Sequence, residues 1–346
     1  MKKRLLLFLL SLILILCACG QTEAQAPQIT EEIIQTPEPS PTPTPEPTPT
    51  PFVDYDFEIY GCTFNTADLV IDLNHITIED NAEELLKYLP DCHNLEVLDM
   101  DFCGIDNERM AEIRDAYPEV EVIWRVWFGK GYSVRTNVVK ILASNVVDGG
   151  NLTAKNCDGL YYCTKVKYLD IGHNNYNTDI SFIKNMPDLE ILITGQDCIY
   201  TSQGLRDITP IASCPKLEFI ELVGIGITDL EPLANLTELK HLNIGADVFL
   251  TDISPIMNLD LERLWITATT PINREQVEQF KELHPDCEVN TWADPPMSGW
   301  KGDAPKYLEV KEIFNYHIPD YQLASRDPLY NEHESIYTDY VSRKAG

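Results

Sequence analysis

Five short stretches in the middle of the chain share one pattern of apolar residues, and this repetition constrains the fold most strongly. Each stretch has apolar residues at its first and fourth positions, and all but the second, which has Thr194 there, have one at the sixth. Because side chains alternate along a strand, the pattern predicts short strands with one buried face. The stretches are "VKYLDI" from Val166, "LEILIT" from Leu189, "LEFIEL" from Leu217, "LKHLNI" from Leu239 and "LERLWI" from Leu261.

A second signature lies between these stretches, in the form "TDISFI", "RDITPI", "TDLEPL" and "TDISPI". An aspartate at the start of a helical turn can accept hydrogen bonds from free backbone N–H groups, and proline suits the first turn. No single repeat can bury its own leucines, so neighbouring repeats must stack into a solenoid. The aspartates are Asp179, Asp207, Asp229 and Asp252.

Together the two signatures resemble the leucine-rich repeat family, in the bacterial, internalin-like subclass with an Asp-Ile-x-Pro-Leu convex segment. The resemblance covers about residues 95–290. It implies an α/β solenoid with a parallel concave β-sheet and short helical or 3-10 convex segments. The flanks are similar, more loosely, to surface lipoproteins of Gram-positive bacteria.

Longer units precede and follow the regular repeats. "LEVLDM" from Leu95 and "VEVIWR" from Val120 are typical of strands, and a weak unit lies near "VVKILAS". "NAEELLKYLP" and "NERMAEIRDAYP" have the periodicity of amphipathic helices that end before a proline. "NREQVEQFKELHPDCEV" repeats the order helix, proline, strand near the end of the array.

The N-terminus has the features of a lipoprotein signal. Basic residues precede an apolar run that is too short to cross a membrane, and "LCAC" is similar to a bacterial lipobox. Ala18 fits the small site before cleavage, so Cys19 is the predicted lipid-bearing residue, although an ordinary signal peptide is the alternative. Proline then occupies every second position from Pro37 to Pro51, which predicts a polyproline spacer of roughly 45 Å.

These features divide the chain into five predicted segments. They are a signal peptide (1–18), a Pro/Thr-rich stalk (19–52), an N-terminal strand–helix part (53–135), a repeat array (136–290) and a C-terminal cap and tail (291–346). The tail holds Trp292, Trp300, Tyr307 and Phe314, and we expect it to cap the last repeat.

The formal charge of −29 excludes one class of partner. A chain this acidic is repelled by nucleic-acid backbones and by anionic lipid surfaces, so no nucleic-acid binding is expected. Solubility outside the cell explains the charge, and a basic partner or bound calcium is the alternative.

The cysteines fit the repeat lattice better than a disulfide framework. Cys92, Cys163 and Cys214 each lie three residues before a strand start, where other repeats have Met186 and Leu236. Cys287 corresponds to Val120, and Cys103 takes a position where this repeat family has Asn or Cys, as at Asn174. We expect these five to be small buried hydrophobes. Free thiols are also favoured for the remaining Cys62, Cys157 and Cys198.

Motifs for chemistry are weak in this sequence. The histidines are scattered, and there is no HExxH, Cys-x-x-Cys or zinc-ligand spacing. "FGKGYS" lacks the ending of a phosphate-binding loop, and "NEHESIYTDY" reads as a solvated tail. The sequence therefore predicts no catalytic residue, no metal site and no cofactor.

The third and fifth positions of each repeat strand face away from the core, onto the concave sheet. Their apolar and aromatic side chains predict a patch of the kind that marks an interface. Cross-strand stabilisation of the sheet, or a tail folded over it, would account for the same residues. The third positions are Tyr168, Ile191, Phe219, His241 and Arg263, and the fifth are Asp170, Ile193, Glu221, Asn243 and Trp265.

Three functions remain open at this point. The first is a lipid-anchored protein on the extracellular face of a bacterial membrane that binds a protein or glycan ligand through its concave face. The second is a structural envelope protein that packs on wall polymer or on another copy of itself. The third, a hydrolase with its site in the flanking segments, has the least support.

Overall fold

The computed structural model describes residues 52–144, 152–196, 204–266, 270–291 and 305–314. The signal peptide, Cys19, the stalk up to Pro51, Cys198, Trp292 and Trp300 lie outside these residues. The chain from Val53 onward is one compact unit, distinct from the N-terminal segment.

The described strands form two parallel sheets and two antiparallel hairpins. The first sheet has the order β3 (Val70–Asp72), β4 (Val97–Asp99) and β5 (Glu121–Ile123). The second sheet runs in chain order from β8 to β14. Its strands are β8 (Lys140–Leu142), β9 (Tyr168–Asp170), β10 (Ile191–Ile193), β11 (Phe219–Glu221), β12 (His241–Asn243), β13 (Arg263–Trp265) and β14 (Glu288–Asn290).

The pairing register is the one that the repeats predict. The fourth-position residues Leu169, Leu192, Ile220, Leu242 and Leu264 are partners across successive strands. The weak unit is a full repeat strand, because Ile141 pairs with Leu169. One apolar core runs without interruption from Phe57 to Phe280 and is shared by both sheets. The predicted leucine-rich repeat solenoid is confirmed.

The convex aspartates do what their position predicts. In each repeat Oδ1 accepts a hydrogen bond from the backbone N–H two residues later, at 2.7 Å for Ser181, 2.9 Å for Thr209, 2.8 Å for Glu231 and 2.8 Å for Ser254. A 3-10 turn begins at that residue each time. These turns are Ser181–Asn185, Thr209–Ser213, Glu231–Leu233 and Ser254–Ile256.

Two of the three predicted helices are present. They are α1 (Asn107–Ala116) and α2 (Arg274–Leu283), and each is followed by a strand. The helix expected at "NAEELLKYLP" is wrong, because Asn81 and Ala82 have φ of 57° and 65° and stop a continuous helix from starting there. That stretch forms two 3-10 turns, Leu85–Lys87 and Leu89–Asp91.

Hairpins lie at two places that the sequence pattern did not indicate, one before the first sheet and one between the two sheets. The first joins β1 (Asp56–Ile59) to β2 (Cys62–Asn65), and the second joins β6 (Arg125–Phe128) to β7 (Tyr132–Arg135) between the two sheets. "FGKGYS" is the turn of the second hairpin and not a phosphate loop. Gly159 permits this hairpin to pack, because a Cβ there would meet the Trp127 carbonyl oxygen at 2.3 Å.

A buried ion pair ties the second hairpin to the first sheet. Arg125 donates from Nε to Oδ1 of Asp101 at 2.9 Å and from a terminal nitrogen to Oδ2 at 2.7 Å, and both side chains are almost fully buried. Arg135 of the same hairpin donates to Asp99. Bidentate geometry gives each buried charge its partner, which a buried pair requires.

The described cysteines are all free. Cys92, Cys163 and Cys214 are buried at the predicted positions, whereas Cys287 is half-buried. Cys157 is buried and Cys62 is half-buried. Burial raises the pKa of Cys214 to about 12, so its thiol is protonated at neutral pH.

In three repeats the ninth position carries a side chain that bonds to the backbone turns, namely Cys103, Asn174 and Asp247, and these three form the ninth-position ladder. Cys103 donates to the Leu73 carbonyl, with Sγ 3.1 Å from the oxygen. Asn174 donates from Nδ2 to Ala143 at 2.8 Å and to Ile171 at 2.9 Å, and its Oδ1 accepts from Leu152 N at 2.8 Å. These bonds satisfy buried backbone groups where the strands end.

Asp247 occupies the same ladder position with a carboxyl group. It is fully buried, and its Oδ1 accepts from Gly226 N at 2.7 Å. Among the described residues Oδ2 has no hydrogen-bond partner. Burial raises the pKa of Asp247 to about 8, against the favourable effect of the backbone N–H groups. The protonated acid can donate as Asn174 Nδ2 does, whereas the carboxylate cannot.

The first prediction concerns this carboxyl. Because the pKa of Asp247 is raised on folding, its stabilising contribution is full below about pH 4 and is lost as the pH rises towards about 8. Asp247→Asn is therefore expected to raise the melting temperature at pH 8 and to lose this advantage at pH 4–5. The measurement is thermal unfolding of both chains across that range.

Asn174→Asp is the matched control, because it places a carboxyl group at the ninth position of another repeat. We expect this variant to lose stability as the pH rises. If the difference in melting temperature between Asp247→Asn and the parent chain did not change with pH, the raised pKa assigned to Asp247 would be contradicted.

Candidate functional site

The ten predicted concave residues form two columns across five adjacent strands, as expected. The third-position column runs through Tyr168, Ile191, Phe219, His241 and Arg263. The fifth-position column runs through Asp170, Ile193, Glu221, Asn243 and Trp265. Lys140 and Leu142 extend the two columns onto β8, and Glu288 and Asn290 extend them onto β14.

The predicted apolar patch is present, but its side chains are not exposed, and the alternative of a tail folded over the sheet is the one observed. Tyr168 and His241 are half-buried, and the other eight are buried. Phe219, in the middle strand of the five, is only 1% exposed. The cover is a helix from the tail, α3 (Pro305–Ile313), so this part of the tail lies on the concave sheet and does not cap the last repeat.

The apolar concave residues and α3 form a second hydrophobic cluster, separate from the solenoid core. Val310 and Phe314 contribute from the tail, and both are fully buried. The sheet contributes Leu142, Ile191, Ile193, Phe219 and Trp265, with Tyr168 partly buried beside them. The apolar patch predicted from the repeats therefore exists, and the protein's own helix buries it.

Two lysines hold the ends of α3. Lys140 on β8 donates from Nζ to the Ile313 carbonyl at 2.9 Å, at the C-terminal end of the helix where a cation is favoured by the helix dipole. Lys306 in the first turn donates to Oε2 of Glu218 at 2.9 Å. Lys306 also pairs with Glu309 of the same helix at 3.1 Å.

The polar concave residues bond locally. Oδ1 of Asp170 accepts from Gly172 N at 2.8 Å, and Oδ1 of Asn243 accepts from Gly245 N at 3.0 Å. Arg263 donates to Glu288 at 2.9 Å. These bonds fix the turns after the strands, which gives Asp170 and Asn243 a structural role that the repeat pattern alone does not reveal.

Electrostatics around α3 favour a neutral histidine. Burial lowers the pKa of His241; Glu262 opposes this shift, and Lys306 and Arg263 add to it. His241 is therefore neutral at pH 7. Burial also raises the pKa of Tyr168, which keeps its hydroxyl protonated.

A cavity of about 380 Å³ remains where α3 ends against β8 and β9. Backbone and side chains of both the sheet and the helix line it, including two lysines. The lining residues are Val139, Lys140, Lys167, Tyr168, Glu312 and Ile313. This opening is the part of the concave face next to α3 where space is left.

Sequence reasoning noted the aromatic residues of the tail but missed the helix. Tyr307, Val310 and Phe314 are spaced three and four residues apart, which places them on one helical face after the proline at position 305. That spacing was the available indication that this segment forms a helix with one apolar face, which packs on an apolar surface.

Across the described ranges no group of three or more His, Cys, Asp or Glu side chains could hold a metal ion. None of the helices in those ranges combines the length and apolar character of a membrane span.

Comparison with known proteins returned solved structures alone. No family model matches the chain. No curated protein matches it either. An internalin from Listeria monocytogenes aligns at 17% identity and TM-score 0.34, over 64% of this chain and 46% of the internalin. A leucine-rich repeat protein from Leptospira interrogans aligns at 18% identity and TM-score 0.35, over 64% of this chain and 59% of that chain.

A second L. monocytogenes internalin aligns at 16% identity and TM-score 0.26, over 64% of this chain and 80% of that chain. This chain spans less than two thirds of the length of the first two structures. At such TM-scores the assignment of the fold depends on the strand register, the convex aspartate turns and the ninth-position ladder described above. These features make the protein a leucine-rich repeat solenoid.

The second prediction separates the two sides of the sheet. Leu222→Ala opens a cavity in the main core and is expected to cost about 2–5 kcal/mol of unfolding free energy. Phe219→Ala removes a contact beneath α3, which can settle into part of the gap, so a loss at or below about 3 kcal/mol, the lower end for a buried phenylalanine, is expected. Urea unfolding measures both losses.

Hydrogen exchange identifies where each change acts. Phe219→Ala is expected to speed amide exchange in residues 305–313 more than in the strands, because it removes an anchor of α3. Unchanged exchange in α3 would show that Phe219 does not hold the helix.

Proposed function

We propose that the protein is a lipid-anchored, extracellular leucine-rich repeat protein that binds another protein through its concave face and performs no catalysis. A diacylglyceryl group on Cys19 would hold it to the outer face of a bacterial cell membrane. The proline-rich stalk would carry the solenoid clear of the lipid surface.

One observation carries the binding proposal, namely the apolar cluster on the side of the sheet that faces away from the core. Stacking of the repeats requires apolar residues at the inward positions, but not at the third and fifth positions of the strands. Ile191, Phe219 and Trp265 lie on the opposite face and still need cover. An apolar surface of this kind usually serves to bind a macromolecule. In this chain α3 covers these residues, and it lies outside the main core.

The location proposal has its support in the N-terminal sequence. Twelve residues from Leu5 to Leu16 are apolar apart from Ser11, and three basic residues precede them. The run ends in the lipobox-like "LCAC", which a spanning helix would not need. The charge of −29 suits a protein that stands away from an anionic surface.

The third prediction tests the anchor. Cys19→Ala is expected to release the protein or to leave it as uncleaved precursor, because the lipid-bearing thiol is gone. Cys17→Ala is the matched control, and this variant is expected to remain on the membrane. Palmitate labelling and membrane fractionation provide the readouts. Palmitate-labelled, membrane-bound Cys19→Ala protein would contradict the lipobox assignment.

The fourth prediction tests binding itself. The full chain in detergent is immobilised and exposed to a panel of extracellular proteins and glycans. We expect capture of a specific protein, and weakening of about tenfold by Tyr168→Ala or His241→Ala, the two half-buried concave residues. Glu231→Ala, on the convex side, is the control that should leave capture unchanged. Capture of glycans or wall polymer alone would favour the structural envelope function instead.

A further inference from the structure

The way α3 sits on the concave face shows what kind of segment this groove accepts. Tyr307, Val310 and Phe314 lie on one face of the helix, and each is at most 8% exposed. The opposite face is open to solvent, with Leu308 43% exposed. The groove thus accommodates one apolar stripe of a single helix and leaves the rest of that helix outside.

The groove also carries polar groups for the two ends of a helix. Lys140 is 4% exposed, and its Nζ donates to the carbonyl of Ile313, one of the carbonyls that a helix cannot satisfy internally. At the other end Glu218 pairs with Lys306. A cation in the first turn is disfavoured by the helix dipole, so the pairs with Glu218 and Glu309 compensate an unfavourable position for Lys306.

The surface that α3 contacts is separate from the core that stabilises the solenoid. The main core contains no residue of α3, whereas the small concave cluster contains both sheet and helix residues. Withdrawal of α3 therefore leaves the stacked repeats packed and uncovers an apolar groove with a lysine at one end and a glutamate at the other. An element that lies outside the main core can open locally while the rest of the structure stays folded.

We propose that the concave groove is a binding site for an amphipathic α-helix of a partner protein, and that α3 occupies this site until such a helix displaces it. The partner helix would carry a lysine followed by apolar residues one, four and eight positions later, the pattern of Lys306, Tyr307, Val310 and Phe314. This is recognition of a helix in a groove, with the register set by the charged ends. The inference rests on the proposed binding function and names the class of its partner.

Tethering gives α3 an advantage over any free helix. The last described strand ends at Asn290 and α3 begins at Pro305, so α3 meets the groove within one chain. Such an intramolecular contact over a short stretch of sequence typically corresponds to an effective concentration in the millimolar range. A free copy of the helix must compete with the tethered one, so its affinity for the intact protein is reduced. Substitutions in α3 that prevent it from binding the groove remove this competition.

The experiment uses the full chain in detergent and a fluorescent helical peptide with the sequence of residues 304–315. A hydrocarbon staple between the positions of Leu308 and Glu312, both exposed, removes most of the cost of forming a short helix. The opened chain carries Val310→Asp and Phe314→Asp. Binding is measured by fluorescence anisotropy. We expect the peptide to bind the opened chain, and to bind the parent chain at least about 30-fold more weakly.

Charge reversal tests the pair between Lys306 and Glu218. A peptide with Lys306→Glu is expected to bind the opened chain about tenfold more weakly, and Glu218→Lys in the opened chain is expected to restore its binding. A peptide that carries Val310→Asp and Phe314→Asp is the matched control and should not bind. If the opened chain does not unfold cooperatively, the helix-breaking Val310→Pro replaces the pair of substitutions.

Several results would overturn the inference. They are equal binding to the parent and opened chains, no binding to a cooperatively folded opened chain, and binding that ignores both substitutions in the control peptide. If the α3 of a wild-type molecule inserts into the groove of an opened chain to form a dimer, the occupant is a second copy of this protein and not a partner helix. If the peptide binds but the chain captures no protein from the panel, the proposed function is rejected and the helix site is not. If the parent and opened chains capture the same protein equally well, the helix site is rejected and the proposed function is not.

Discussion

Each strand of this solenoid contributes three residues to its sheet, and only the inward position of those three joins the core. A repeat therefore cannot bury its apolar residues without the repeats on both sides, and the stability of the molecule is a sum over neighbours. The register follows from this constraint, because a slip by one residue would turn Leu242 and its equivalents out of the core. The aspartate turns and the ninth-position ladder then satisfy the backbone groups that stacking leaves at each end of the strands.

The same alternation that builds the core creates a second surface. Residues at the third and fifth positions must point away from the leucines, whatever their chemistry. In this chain many of them are apolar, and α3 supplies the other half of a second, smaller core. On the inward face, neighbouring repeats bury the apolar residues. On the outward face, the apolar residues are buried by a segment that is distant in sequence.

This difference explains which parts of the structure could be predicted from the sequence. Register, convex turns and the role of Cys103 depend on residues within one or two repeats, so a periodic pattern was sufficient to identify them. The burial of Phe219 depends on a helix that begins at Pro305, far along the chain, and periodicity within the repeats contains no information about it. The second hairpin was missed for a related reason, since its place depends on the long-range pair between Arg125 and Asp101.

The buried thiols have a consequence for how the protein would survive outside a cell, the location proposed for it. Cys92, Cys103, Cys157, Cys163 and Cys214 are free and buried, so in the native state oxidants have little access to them. An unfolded chain would expose all of them at once, at ordinary pKa, and mixed or incorrect disulfides would then prevent refolding. Lifetime in an oxidising environment is accordingly set by the rate at which the solenoid opens and not by its equilibrium stability. For such a chain, slow unfolding provides the durability that many exported proteins obtain from disulfide bonds.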